Sequence, residues 1–222
     1  MPVAVPVVVV FDCFDTLVTS RRPFPSPEEF TACLAEVLAL DDASAGQVVR
    51  RVLGAVQAAM ADPSALQPPT LALLDAALRE RAAPRERPDL ERALWHALGA
   101  ADEDRYALCE PVAEAMSRIA GAGHTVRLLS NCYLPGALMR RLLERLKVPD
   151  VWDRAVFTAD GGPKKPDARA FRLIGEGPFE RRVMVGDSEE TDLAPAAALG
   201  WDTVRVDPPR PDLSSLAPLF GP

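Results

Sequence analysis

Five short apolar runs punctuate the chain, and the first of them, Val7-Val8-Val9-Val10-Phe11, shows no alternation with polar positions. Unbroken apolarity over so few residues predicts a parallel strand buried on both faces. The other runs, at 125–129, 155–158, 182–185 and 202–206, all come after residue 124. Helical spacing separates them, at Glu110 to Ile119, Leu138 to Leu146, Ala168 to Ile174 and Leu193 to Leu199, with Gly121, Gly123 and Gly200 at helix ends. Strand and helix in alternation predict an α/β fold with a doubly wound, parallel, five-stranded Rossmann-like core.

Between the first strand and this later series, residues 20–106 carry helical periodicity and no strand signal. They predict an inserted α-helical cap domain. Ser26-Pro27-Glu28-Glu29 supplies an N-cap serine, a proline at the first helical position and a capping-box glutamate, followed by Phe30, Cys33, Leu34, Val37 and Leu38 on one face. Further amphipathic stretches run from Val48 to Met60, Leu71 to Leu78 and Leu90 to Leu98, interrupted by prolines at 63, 68, 69, 84 and 88. The expected division is a core of residues 1–19 and 107–222 and a cap of residues 20–106. The tail from Pro208 reads as a proline-rich surface segment.

Composition narrows the function. A chain of 222 residues that is 48% hydrophobic and 26% charged can bury a sizeable core, which excludes disorder. A net charge of −7 argues against nucleic acid as a partner, since phosphate backbones call for a basic face. The opening MPVAVPVVVV has no basic leader, is interrupted by Pro2 and Pro6, and is too short to span a bilayer, so neither a signal peptide nor a membrane helix is expected. Cysteines at 13, 33, 109 and 132 have neither zinc-site spacing nor disulfide-scaffold density, which fits a reducing, cytoplasmic setting. Lysine is scarce: Lys147, Lys164 and Lys165 are the whole supply.

In open parallel sheets the ligand crevice lies beyond the carboxyl ends of the strands, so the residues after each strand carry the chemistry. They are polar. Asp12-Cys13-Phe14-Asp15-Thr16 follows the first strand, Ser130-Asn131 the second, a loop with Lys164-Lys165-Pro166-Asp167 the third, and Gly186-Asp187-Ser188 with Asp192 the fourth. The set FDCFDTL, LLSN, KKPD and VGDSEETD, in that order and each after a strand, resembles the haloacid dehalogenase superfamily, with its helical cap between the first two motifs. The resemblance covers essentially the whole chain.

It implies a hydrolase with Asp12 as nucleophile, and phosphoryl transfer to a small phosphorylated metabolite is the expected reaction. A carboxylate meets a phosphoryl group as one anion meeting another, so a divalent cation and a lysine are needed to cancel the repulsion. Asp12 and Asp187 are hard oxygen donors suited to Mg²⁺, and Lys165 would neutralise the nucleophile and the transferring oxygens. The resemblance adds the Phe14 carbonyl to the metal ligands and gives phosphate-binding roles to Ser130 and Asn131. Asp192 would orient metal-bound water or Lys165, or would simply cap the helix that follows it.

Phe14 departs from the pattern. Phosphatases of the superfamily usually carry there a second aspartate, which protonates the leaving oxygen and then activates water; a phenyl ring does neither. Three readings stay open: a phosphatase whose acid comes from Asp15 or whose leaving group needs little help, a catalytically weak Mg²⁺- and phosphate-binding regulatory protein, and a carbon–halogen hydrolase. Asp15 could equally be a structural helix cap. The dehalogenase reading leaves Asp187 without a role, and a phosphonatase would need a cap lysine, which residues 20–106 lack. Lys164, Arg21 and Arg22 read as solvated charges, His96 and His124 as surface or turn residues, Trp95 as cap core, and Cys13 and Cys132 as small buried fillers.

Overall fold

The computed structural model describes residues 6–208 and 210–220; the expectations for Met1–Val5, and those for the last two residues, lie outside that range. In chain order the elements are β1 (Val7–Phe11), β2 (Val18–Ser20), α1 (Pro27–Leu38), α2 (Asp42–Ala61), α3 (Thr70–Glu80), α4 (Arg87–Ala97), β3 (Tyr106–Leu108), α5 (Glu110–Gly121) and β4 (Thr125–Ser130). There follow α6 (Gly136–Arg145), β5 (Arg154–Phe157), α7 (Ala168–Ile174), β6 (Arg181–Gly186), α8 (Ala194–Ala197) and β7 (Asp202–Arg205).

The main sheet has the order β5-β4-β1-β6-β7, with every pairing parallel. Its first strand is central, which accounts for the uninterrupted apolar run: Val7, Val9 and Phe11 pack into one core with α5 and α6, Val8 and Val10 into a second with α7 and α8. Each such side chain contributes roughly 1.5–3 kcal/mol by leaving water. The chain departs from β1 to either side of the sheet, so the carboxyl end of β1 sits at the topological switch where a crevice opens.

Helices α1 to α4 lie in the chain between β2 and β3, which pair antiparallel with Thr19 opposite Ala107. This two-stranded ribbon brings the ends of the helical insertion together. It was not foreseen, because three-residue strands whose partners lie far apart in sequence leave no periodic signal. The capping box at α1 is formed, the Glu29 N–H donating to Ser26 Oγ at 3.2 Å and the Ser26 N–H to Glu29 Oε2 at 2.7 Å. Helix α2 starts earlier than its apolar stripe suggests, because the Asp41 carboxylate accepts from the Ser44 N–H and starts the helix over the alanine-rich turn. The tail departs from expectation: Ser214–Leu219 forms a 3₁₀ turn that buries Leu216 and Leu219.

The insertion is tied to the core by a second set of contacts. Gln67 exchanges backbone hydrogen bonds with Gly162 and its side chain donates to the Cys132 carbonyl at 2.7 Å. Lys164 reaches the same turn. Expected as a solvated surface charge, it is 1% exposed, and its Nζ donates to the carbonyls of Asp62 (2.8 Å), Pro63 (3.3 Å) and Ala65 (2.8 Å). Three carbonyl dipoles at the α2–α3 turn replace the water a lysine normally needs.

Candidate active site

The segments after three strands, β1, β5 and β6, place four charged side chains in one spot. Asp12 leaves β1 with its N–H bonded to the Val185 carbonyl at 2.9 Å, so the neighbouring strand β6 holds its backbone in line with the sheet. Lys165 comes from the loop before α7, and its ammonium donates to Asp12 Oδ1 at 2.5 Å and to Asp192 Oδ1. Asp187 follows β6 and accepts from the Thr16 hydroxyl at 3.4 Å. Carboxylate oxygens of Asp12, Asp187 and Asp192 all lie within 4.8 Å of one another.

Asp192 is not a helix cap. Ser188 caps the π-helical turn Glu189–Leu193, its hydroxyl accepting from the Thr191 N–H, while the Asp192 carboxylate turns inward to Lys165 and accepts from the Ser188 N–H at 3.2 Å. Nor does Asp15 cap a helix: a turn follows it, leading into β2, and its φ of 58° is left-handed. It is exposed and near enough to Asp187 to oppose ionisation there.

The electrostatics are those of a deficit in positive charge. Burial pushes the Asp12 carboxyl up to about 6 against the pull of Lys165, with Asp192 and Asp187 adding repulsion. Asp187 is likewise raised, first by burial and then by Asp192. Burial alone would lower the Lys165 amine, but Asp12 and Asp192 outweigh it and hold the ammonium above its ordinary range. One ammonium among three carboxylates, two of them buried and Asp187 half-buried, leaves an excess of negative charge in the cluster. Hard oxygen donors with that deficit fit a divalent cation such as Mg²⁺. The Phe14 carbonyl, expected as a further ligand, accepts no hydrogen bond among the described residues.

Beside this acidic group lies a set of unengaged donors. Ser130 is fully buried and its Oγ has no hydrogen-bond partner, although it is close enough to the Cys13 thiol to counter part of the rise that burial imposes there. The N–H groups of Cys13, Phe14 and Asn131 donate to nothing among the described residues. Asn131 has a task in addition to the one expected. Its side chain accepts from the Lys165 N–H at 3.0 Å and donates to the Lys165 carbonyl at 2.8 Å, so it fixes the lysine's backbone and keeps one amide N–H for a ligand.

The ring of Phe14 packs on Tyr106 of the ribbon, with centroids 5.6 Å apart, and lines a cavity of about 360 Å³ between the insertion and the core. Sequence reasoning missed the other walls of that cavity, Phe24, Tyr106 and Tyr133, as it missed Gln67 and Lys164. Only the exposed placement of Phe24, 55% accessible, could have been sensed as an apolar residue among prolines. Cys13 and Cys132 are buried and unpaired, as expected of fillers, and Arg22 is an exposed charge paired with Asp102 at 2.7 Å.

Comparison with known proteins bears on the fold and the family. A segment of a ribulose-1,5-bisphosphate 5-phosphatase from Halopiger xanaduensis is 30% identical over 129 residues, covering 55% of this chain and 52% of that protein, so the match spans about half the length of each. Two solved structures share the fold. A haloacid dehalogenase-like family hydrolase from Xanthomonas campestris superposes with a TM-score of 0.55 at 20% identity, covering 97% of this chain and 92% of its own. The HAD-hydrolase YfnB from Bacillus subtilis, solved bound to magnesium, gives 0.53 at 17% identity, covering 96% and 97%. Residues 7–200 match the sequence model of the haloacid dehalogenase-like hydrolases, and the chain belongs to that family of hydrolases.

Proposed function

We propose that this hydrolase is a Mg²⁺-dependent phosphatase that acts on a small phosphorylated metabolite through a phosphoryl group carried by Asp12. One observation carries the reading: an acidic cluster with an excess of negative charge stands next to buried donors with nothing to bind. A dication and a phosphate dianion would complete each other there, whereas a carbon–halogen bond would leave Asp187 and Asp192 unexplained.

Asp12, Asp187 and the Phe14 carbonyl would hold Mg²⁺, which when bound supplies the positive charge that lets an anionic nucleophile approach an anionic phosphoryl group. The rest falls to the chain itself. Lys165, already on Asp12 Oδ1, steadies the carboxylate and meets the incoming phosphoryl oxygens; Asp192 holds that ammonium from its other side. Ser130 Oγ and the free N–H groups receive the remaining oxygens. Asp12 Oδ attacks phosphorus, the bond to the leaving oxygen breaks, and water later attacks phosphorus to release phosphate and restore the carboxylate. The helices between β2 and β3 act as the cap over this site. A cytoplasmic setting is supported by four cysteines that are all free, and the net charge of −7 speaks against a nucleic-acid substrate. No helix is long and apolar enough to cross a membrane among the described residues.

The test is phosphate release from a panel of phosphomonoesters with Mg²⁺ and with chelator, beside halide release from 2-halogenated acids. Metal-dependent phosphate release supports the reading. Halide release without metal would replace it with the dehalogenase reading, and phosphate binding without turnover of any ester would leave a binding protein.

A further inference from the structure

The cavity lined by Phe14 and Asp15, which follow Asp12 in the chain, and by Asn131, which holds the Lys165 backbone, differs in character from the charged group. Its walls are Phe14, Phe24, Leu98, Tyr106, Tyr133 and Leu134, with rings in two tilted pairs: Phe14 with Tyr106, and Phe24 with Tyr133 at 5.5 Å. Its free polar groups are few: the hydroxyls of Ser20 and Tyr133, one amide N–H of Asn131 and the Asp15 carboxylate. The Tyr106 hydroxyl already donates to the Leu98 carbonyl at 3.0 Å, and the lining's one cation, Arg22, is already paired with Asp102. A second phosphate or a carboxylate on the leaving group would meet no free positive charge, only the Asp15 carboxylate. At about 360 Å³ the space is at the small end of the range of roughly 300–1,000 Å³ usual for ligand pockets, room for one substituted ring.

We infer that the substrate is a monophosphate ester of a small aromatic alcohol, an aryl phosphate whose ring enters the cavity lined by Phe14, Tyr106, Phe24 and Tyr133. This rests on the phosphatase reading and narrows it. The position two residues after Asp12 then makes sense as a pair of linked properties. Phe14 offers a ring face to the leaving group instead of a proton, and a phenol-type leaving group needs no proton, since phenols ionise near pH ~10 while an alkanol resembles water at ~15.7. As the bond between phosphorus and the aryl oxygen breaks, its electron pair leaves on that oxygen, which takes its proton from water. Such a substrate also differs from ribulose 1,5-bisphosphate, whose second phosphate would find no unpaired cation in this lining.

The experiment compares kcat/KM in Mg²⁺ for phenyl phosphate, glycerol phosphate, ribose 5-phosphate and acetyl phosphate, the last needing no proton and leaving the cavity unfilled. Phenyl phosphate should exceed the two alkyl esters by ~10²–10⁴-fold, the usual worth of general acid help. Phe24→Ser, at a position more than half exposed, and Tyr133→Ala should each raise KM for phenyl phosphate by roughly tenfold, the upper end of what one aromatic contact provides. Their effect on acetyl phosphate should be several-fold smaller. Equal or better turnover of an alkyl or sugar phosphate would overturn the inference and leave the phosphatase standing. Hydrolysis of acetyl phosphate with no preference for the aryl ester would do the same. Failure to hydrolyse any of the four, acetyl phosphate included, would overturn both.

Discussion

Lys164 and Lys165 are sequence neighbours whose ammonium groups serve different halves of the molecule: Lys164 binds three carbonyls of the α2–α3 turn, and Lys165 bridges Asp12 and Asp192. The same short loop therefore anchors the helical insertion and supplies the charge beside Asp12. Lys164→Met strands those carbonyls and should cost roughly 2–4 kcal/mol of stability, read from urea unfolding. Lys165→Met should instead slow phosphorylation of Asp12 by at least ~10²-fold, read in a single-turnover assay. Equal kinetic losses in the two variants would contradict this separation of tasks.

Gly186 supports the site by having no side chain. A Cβ there would lie 2.6 Å from Asp192 Oδ2 and 2.7 Å from its Cβ and Cγ, and the latter two cannot swing away as a flexible chain end could. Gly186→Ala should push Asp192 off Lys165, cost about 1–3 kcal/mol of stability and lower kcat more than it raises KM. An alanine variant with unchanged kcat would mean that the contact between Asp192 and Lys165 does not matter to the reaction.

Metal should stabilise the protein as well as activate it, because it relieves repulsion among Asp12, Asp187 and Asp192. Mg²⁺ at a hundred times its dissociation constant should add about 2.7 kcal/mol, visible as a rise in Tm, and chelator should remove it. Asp187→Asn should abolish most of that rise while making the metal-free protein no less stable, since it removes a charge that Asp192 and Asp15 oppose. A Tm insensitive to Mg²⁺ in the unaltered protein would place the cation elsewhere.

Much of the core was legible because burial on both faces erases alternation. Val7 to Phe11 declares a central strand, and Asp12, Ser130 and Asp187 then fall at strand ends by position alone, while Lys165, in the long loop after β5, was legible through the KKPD motif. Charge function beyond that rule was not legible. Nothing local distinguishes Lys164 from an exposed lysine, since its partners are carbonyls about a hundred positions away. Asn131 was identified as a site residue, but its engagement with the Lys165 backbone depends on how two loops meet. The cavity is still less visible: Phe14, Phe24, Tyr106 and Tyr133 come from four places in the chain, and the β2–β3 ribbon that sets Tyr106 opposite Phe14 is too short to show a period.

Phosphorylation of Asp12 is the step on which the account depends, and Phe14 makes it accessible. With no aspartate at that position to activate water, the second half of the reaction should lag and the phosphoprotein should accumulate. The protein is mixed with acetyl phosphate and Mg²⁺, quenched in acid within the first turnover and weighed intact by mass spectrometry. The account predicts one added phosphoryl group, located on the peptide containing Asp12, removed by hydroxylamine and absent from Asp12→Asn. A phosphoryl group on any other residue, or undiminished phosphate release by Asp12→Asn, would contradict it.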